Sequence, residues 1–382
     1  MGKNGEGNHL GIQNSPKMKI ALVYDRINKF GGAERLLLSL HRLYPDAPIY
    51  TLVHEPKDSH WAEGIQIIPT FLNKIFFLRS RHEWLAPIAP LAFETHDLSC
   101  FDIVISVTSS DAKSVITRPH QLHICYCLTP TRYFWSGASE YKEDKKMKLI
   151  PKATIEYFRQ VDLVTSQRPD EYISISNEVQ SRVKKYYKRS SEVIYPPIED
   201  KFYSKTQISP DNRDYYLVVS RLVPYKKVDL AIHAFNQLRF PLVIVGVGSE
   251  ETKLKKMAGS NISFVGAIDD ERLIQYYRHA RALIFPQKED FGLVPIEAQA
   301  SGTPVIAYAK GGVLETVIAG KTGYFFDKQS EESLILAIRQ FENKKLLPKD
   351  CVINAQRFGY KNFSSQFTGL INYYYDRRKQ SS

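Results

Sequence analysis

The sequence predicts an α/β protein built from two similar domains, each a parallel sheet covered by helices, and three observations carry that prediction. Its 382 residues exceed what one ordinary core holds, since domains run to roughly 100–200 residues. Short β-branched runs alternate with amphipathic helical stretches along the chain, the pattern of strands covered on both faces. The alternation then starts afresh after VIYPPI, residues Val193–Ile198, where two prolines end a strand and read as a linker.

Residues 1–16, MGKNGEGNHLGIQNSP, are polar and glycine-rich and read as a loose tail. The first domain, 17–197, opens with the strand Lys19–Tyr24 (KIALVY), the pair Gly31-Gly32 and a helix AERLLLSLHRLY. Leucines 36, 37, 40 and 43 give that helix one apolar stripe. PIYTLV, FDIVISVT, LHICYCL and EYISIS follow as strands, the last before a helix NEVQSRVKKYY. The second domain, 198–360, begins with the strand DYYLVVS and the helix VDLAIHAFNQL, then LVIVG, ISFVG, ALIFPQ, PVIAY and TGYFF. A last amphipathic helix within 361–382, rich in Phe and Tyr, is expected to pack back on the first domain. Two series of this kind imply two Rossmann-like domains facing each other across a cleft.

Composition narrows the function classes. No run of about 18 apolar residues is present, so no spanning helix is expected, and the first residues lack the apolar run of a signal peptide. Cys100, Cys125, Cys127 and Cys351 fit neither a disulfide framework nor a zinc spacing. Cys125 and Cys127 lie on a strand and read as small buried hydrophobes in a reducing compartment, which points to the cytoplasm. The net charge of +11 is spread over both halves and attracts anions generally: nucleotides, nucleic acid or an acidic membrane surface. With no basic stripe and no nucleic-acid motif, nucleic acid is not an expected partner. Gly-x-Gly-x-x-Gly is absent, which argues against a nicotinamide enzyme; Gly246-x-Gly248 reads as an isolated tight turn.

Two strings carry chemistry. In KEDFGLVPIEAQASGTPVIA, residues 288–307, Glu289 and Glu297 stand eight positions apart around Phe291-Gly292-Leu293. A helix beginning near Leu293 offers free N–H groups and a positive dipole end to an anion, and Gly292 lets a phosphate approach the backbone. A carboxylate on each side of that anion site suits a ligand with hydroxyls at both ends, such as a sugar and a ribose joined by a diphosphate. In SRLVPYKKVDLAIHAF, residues 220–235, Arg221 and Lys226 bracket a loop after the domain's first strand, where two cations can clamp a diphosphate. Taken singly, these residues read as solvated surface charges around ordinary turns.

Together the strings, with the layout from about residue 18 onward, resemble retaining glycosyltransferases of family 4, which have the two-domain GT-B fold. The resemblance implies that Glu289 contacts the donor sugar, Glu297 the ribose, and Arg221 and Lys226 the diphosphate, with Arg221, Lys226 and Glu289 as the catalytic set. It further implies that Gly292 and Leu293 start the anion-binding helix, that Gly31 and Gly32 approach the phosphates from across the cleft, and that Gly266, Ala267 and Leu273 lie near the base. The substrates so implied are a nucleotide diphosphate sugar and a glycan or polyprenyl-linked acceptor, with mannose favoured as the hexose. Departure of a nucleotide diphosphate puts negative charge on the leaving phosphate, and something positive and preorganised must meet it. No Asp-x-Asp pair occurs, so the reading needs no cofactor and no metal, with the cations and the helix end in its place.

The sequence departs from the resemblance in QLHICYCLTPTRYFW, residues 121–135. Relatives of the mannosyltransferase-like subgroup usually read Cys-His-Thr-Pro, and here the His position is Leu128, which can neither take a proton nor bond a hydroxyl. Either the leaving phosphate serves as base, or Thr129, Arg132 or His123 substitutes on the acceptor side, or the chain is a catalytically silent homologue that binds nucleotide or glycan. His123, on a buried strand, reads as structural. Finally, PTFLNKIFFLRSRHEWLAPIAPLAF, between Pro69 and Phe93, mixes aromatics with Lys74, Arg79 and Arg81. It is either an interfacial surface for an anionic membrane, placing the protein peripherally at the inner face of the cytoplasmic membrane, or a set of acceptor-facing loops.

Overall fold

The computed structural model describes residues 18–79, 85–132, 134–135, 151–203 and 213–381; the expected tail 1–16 and Arg81 lie outside them. The first series runs β1 (Ile20–Tyr24), α1 (Gly32–Leu43), β2 (Ile49–Thr51), β3 (Ile67–Pro69), α2 (Ala89–Glu94), β4 (Ile103–Thr108), β5 (Leu122–Cys127), α3 (Lys152–Thr165), β6 (Glu171–Ser174), α4 (Asn177–Arg182) and β7 (Glu192–Val193). Its strands form one sheet in the order β3-β2-β1-β4-β5-β6-β7, all parallel. Every residue of β1, β4 and β5 is buried, as continuous β-branched runs require when helices cover both faces. Among the described residues, the segment between β2 and α2 makes short 3-10 turns on either side of β3.

The second series runs β8 (Tyr215–Val219), α5 (Val228–Leu238), β9 (Leu242–Val245), α6 (Glu251–Met257), β10 (Ile262–Gly266), α7 (Asp270–His279), β11 (Ala280–Phe285), α8 (Leu293–Ala300), β12 (Val305–Tyr308), α9 (Val313–Thr316), β13 (Gly323–Phe326), α10 (Glu331–Glu342), α11 (Pro348–Ala355) and α12 (Tyr360–Ser381). The sheet order β10-β9-β8-β11-β12-β13, again all parallel, repeats the first domain's pattern of reversal. Both domains are thus Rossmann-like, with the strand order turning back beside the first strand of each sheet.

One apolar cluster runs through both domains, joining Leu22, Ile105 and Ile124 to Leu283, Ile296 and Val305. Separate clusters back the far faces of the two sheets. The last helix, α12, returns to the first domain: Phe367 lies 5.6 Å from the ring of Tyr126 on β5, and Arg378 pairs with Asp170 at 2.9 Å. The stretch expected as one helix, NEVQSRVKKYY, is α-helical only through Arg182 and then widens into a π turn, Val183–Tyr187. Its last residue, Tyr187, is buried against the loop after β5, its hydroxyl accepting from the Thr131 N–H at 3.3 Å.

Candidate active site

Open α/β sheets leave a crevice at the carboxyl ends of the strands where the order reverses. In the second domain that point lies between β8 and β11, and the loops leaving those strands carry the predicted cations and the first glutamate. After β8 the chain passes Arg221 and makes a 3-10 turn, Pro224–Lys226, that ends on Lys227 at φ 53°. The exposed Arg221 guanidinium bonds the Tyr225 hydroxyl, and the Lys226 ammonium sits 5.1 Å from the Tyr225 ring. Lys226 forms an ion pair with Glu289, which follows β11. Gly246 and Gly248 do more than turn the chain. A Cβ on Gly246 would fall 1.9 Å from the Ser220 carbonyl oxygen, and one on Gly248 2.2 Å from that of Leu222. Only glycine lets the loop after β9 lie directly on the Arg221 loop.

Glu289 is held from behind as well. It bridges to Gly311 as an isolated parallel pair, and Gly312 N–H bonds its carbonyl at 2.9 Å. Gly292 then takes φ 90°, a conformation that favours glycine, and caps α8 with no side chain over the helix end. Leu293 begins the helix, and Glu297 lies buried within it, accepting from the Tyr277 hydroxyl at 3.0 Å. Burial pushes the Glu297 carboxyl up, opposed by the Arg35 charge and the Tyr277 bond. Gly266 (φ 82°) ends β10, with Ala267 exposed beside it. Leu273 is buried on α7 in the apolar cluster that runs through both domains.

Among the described residues, the first domain meets this crevice at the start of α1 and in the loop after β5. Gly31 precedes α1 in extended conformation, and a Cβ on Gly32 would stand 3.0 Å from the Leu293 side chain, so a small residue there lets the α1 and α8 starts approach. In the loop after β5, Arg132 donates to Asp290 through Nε and Nη2 at 3.1 and 2.7 Å. Thr129 Oγ1 accepts from Arg182 at 3.2 Å. Leu128 is half-buried and packs on the core. His123 lies fully buried on β5, facing Ser106 at 2.9 Å, where burial pushes its imidazole down to about 3; it is neutral and structural.

Electrostatics single out Lys226. Burial, then the Arg221 and Arg132 cations, push its ammonium down to about 7 against the pull of the Asp290 carboxylate; the ion pair with Glu289 also favours the charged form. Three cations from two domains therefore face one another in this crevice. Such crowding stabilises an incoming polyanion and costs the empty protein.

Several residues of the site were not visible in the sequence. Asp290 accepts from Arg182 as well as Arg132, and its carbonyl accepts from Ser176 Oγ. Arg35 bonds both Glu199 and Asp270. The pair Gly311-Gly312 lies against Glu289–Phe291 so closely that a Cβ on Gly312 would stand 2.4 Å from the Phe291 Cα. Of these only the glycine pair, a second Gly-Gly opening a helix, carried a local signal.

Comparison with known proteins bears on the family and the fold. Residues 199–358 match the family model for glycosyl transferases group 1. Over 197 residues the chain is 26% identical to an uncharacterised glycosyltransferase of Methanocaldococcus jannaschii, covering 50% of this chain and 55% of that protein, so this chain spans about half of that relative's length. Over nearly its whole length it is 23% identical to the alpha-1,3/1,6-mannosyltransferase of Dictyostelium discoideum, with 94% of this chain and 99% of that protein aligned. Among solved structures, Anabaena HepE in complex with UDP and glucose superposes with a TM-score of 0.68 at 19% identity, covering 93% of this chain and 99% of that one, a likeness of fold.

Proposed function

We propose that this chain, a glycosyltransferase of group 1 with the GT-B fold, moves a hexose, with mannose favoured, from a nucleotide diphosphate sugar to a glycan or polyprenyl-linked glycan, with retention and without a metal. The observation that carries the reading is the Lys226–Glu289 pair at the second domain's crevice, with Arg221 beside it and the α8 N-terminus adjoining.

The chemistry follows from those positions. The donor diphosphate enters among Arg221, Lys226 and the free N–H groups at the start of α8, where charge building on the leaving phosphate is met without reorganisation. Glu289 exchanges its ammonium partner for sugar hydroxyls, and Lys226 turns to the phosphate. Glu297, further along α8, takes the ribose, while Gly31 and Gly32 keep the opposite wall low enough for phosphates. The base lies by Gly266 and Ala267 at the end of β10. Acceptor attack on the face the phosphate leaves needs no separate histidine, since the phosphate oxygen itself takes the proton; Thr129 and Arg132 then line the acceptor side. One observation favours a second reading, a donor-binding protein without turnover: Leu128 in the histidine's place.

Among the described residues no helix is long and apolar enough to cross a membrane. Phe71, Phe76, Phe77 and Leu91 are 55–64% exposed beside Lys74 and Arg79, which supports a surface that dips into anionic headgroups. Flotation with anionic but not zwitterionic vesicles tests it.

The function itself is tested by a thermal-shift panel of nucleotide sugars, then mass spectrometry of products with the tightest binder. Saturation at about 100 times Kd stabilises by about 2.7 kcal/mol, a readable shift. Hexose transfer or donor hydrolysis above background is expected; binding without either establishes the silent alternative, and no nucleotide sugar binding removes both.

A further inference from the structure

We infer that Asp290 is a positioning residue that makes correct placement of Glu289 depend on the two domains being joined, an inference that rests on the glycosyltransferase reading above. Lys288, Glu289 and Asp290 are consecutive, and Glu289 is extended enough to bridge Gly311. Side chains of an extended segment alternate in direction, and these do. Glu289 turns inward to Lys226 of its own domain. Its neighbours both turn outward to the first domain: Lys288 Nζ reaches Glu178 at 2.8 Å, and Asp290 takes Arg132 and Arg182.

The Asp290 carboxylate is about nine-tenths buried and divides its oxygens between two arginines, Oδ2 to Arg132 and Oδ1 to Arg182. Its backbone carbonyl holds Ser176, the N-cap of α4. Arg132 comes from the loop after β5 and Arg182 from the last residue of α4, so one side chain fastens two elements of the opposite domain. Charge-assisted bonds of this kind are directional and strong when desolvated. With the domains apart, the residue beside Glu289 loses all three partners, and the Glu289 loop keeps its contacts to Gly311 and Gly312 and the Lys226 ion pair of its own domain. The first-domain arginines thereby hold the loop that carries the sugar-binding glutamate, while the phosphate-binding residues Arg221 and Lys226 sit on a separate loop. Nucleotide binding and turnover are therefore separable at Asp290.

The test is Asp290→Asn in the full chain, which keeps the side chain's volume and part of its hydrogen bonding, with Arg182→Gln as the same break made from the other domain. GDP and UDP affinities are read by calorimetry, transfer by kcat with the donor found above, and domain separation by X-ray scattering. Both variants are expected to keep nucleotide affinity within about threefold, to lose at least tenfold in kcat, and to show a larger radius of gyration than the native chain. A kcat within twofold of native, equal losses of affinity and kcat, or an unchanged radius overturns the inference. Should the native chain transfer no sugar, the glycosyltransferase reading fails on its own, and an unchanged radius in Asp290→Asn still overturns the clasp.

Discussion

The two domains carry the same crevice, at β1/β4 in one and β8/β11 in the other, and put opposite things in it. In the first, Asp25 leaves β1 and its carboxylate is almost completely satisfied. Thr108 Oγ1 donates at 2.6 Å, Ser109 N–H at 2.7 Å, and the N–H groups of Asp111 and Ala112 at 3.1 and 3.0 Å. The loop after β4 is wrapped around this one acid. In the second, the equivalent loops carry Arg221, Lys226 and Glu289, and Lys226 is pushed down to about 7 by burial and by other cations. The first crevice is closed by its own hydrogen bonds; the second holds charges that a ligand would relieve. Shared topology places both, and the proposed chemistry uses the second, where other cations crowd Lys226.

Removing the charge from each crevice separates them most sharply. Lys226→Ala is expected to lower turnover at saturating donor by about 10²–10³, the scale of one lost transition-state donor, with the melting temperature lowered only modestly, because a crowded cation is gone while Glu289 loses its partner. Steady-state rates and a melt on the same sample check both halves. Asp25→Ala is expected to do the reverse. Stranding several buried donors costs about 3 kcal/mol of stability, read by denaturant unfolding, while GDP or UDP affinity of the remaining folded protein stays native. If Asp25→Ala melts like the native chain, the contrast fails on the first domain's side.

A subtler difference lies in pH. An incoming diphosphate favours the charged Lys226, so its pKa rises on binding and the complex takes up a proton when the free ammonium has lost it. Nucleoside diphosphate affinity should therefore be flat below pH 7 and fall as pH rises above it, by up to about tenfold per unit. Lys226→Arg, whose charge does not titrate there, should flatten the curve; titration calorimetry at several pH values reads it. The smallest effect is expected at Leu128, which packs on the core. Leu128→His should leave turnover unchanged or lower, and a tenfold gain would mark the position as a lost catalytic histidine.

Much of this was legible in the sequence, for identifiable reasons. Strands such as FDIVISVT and LHICYCL announce themselves because burial on both faces demands an unbroken apolar run. The second crevice was legible because its parts sit in two short strings: Arg221 and Lys226 in one loop, Glu289, Gly292 and Glu297 in the other. What stayed hidden joins residues far apart in the chain. Arg132 and Asp290 are separated by 158 positions, Arg35 and Asp270 by 235, and no local pattern distinguishes such partners from solvated charges. The π turn at Val183–Tyr187 was hidden for a similar reason, because it seats Tyr187 against a loop more than fifty residues earlier. The same holds for Gly246 and Gly248, whose need appears only once the Ser220 and Leu222 carbonyls are seen beneath them.

The central claim is that protein cations in the second domain, rather than a divalent ion, carry the departing diphosphate. Its most direct test is the transfer rate of the native chain at saturating donor before and after exhaustive chelation. An unchanged rate is predicted. A rate that collapses with chelator and returns on adding magnesium or manganese would contradict it.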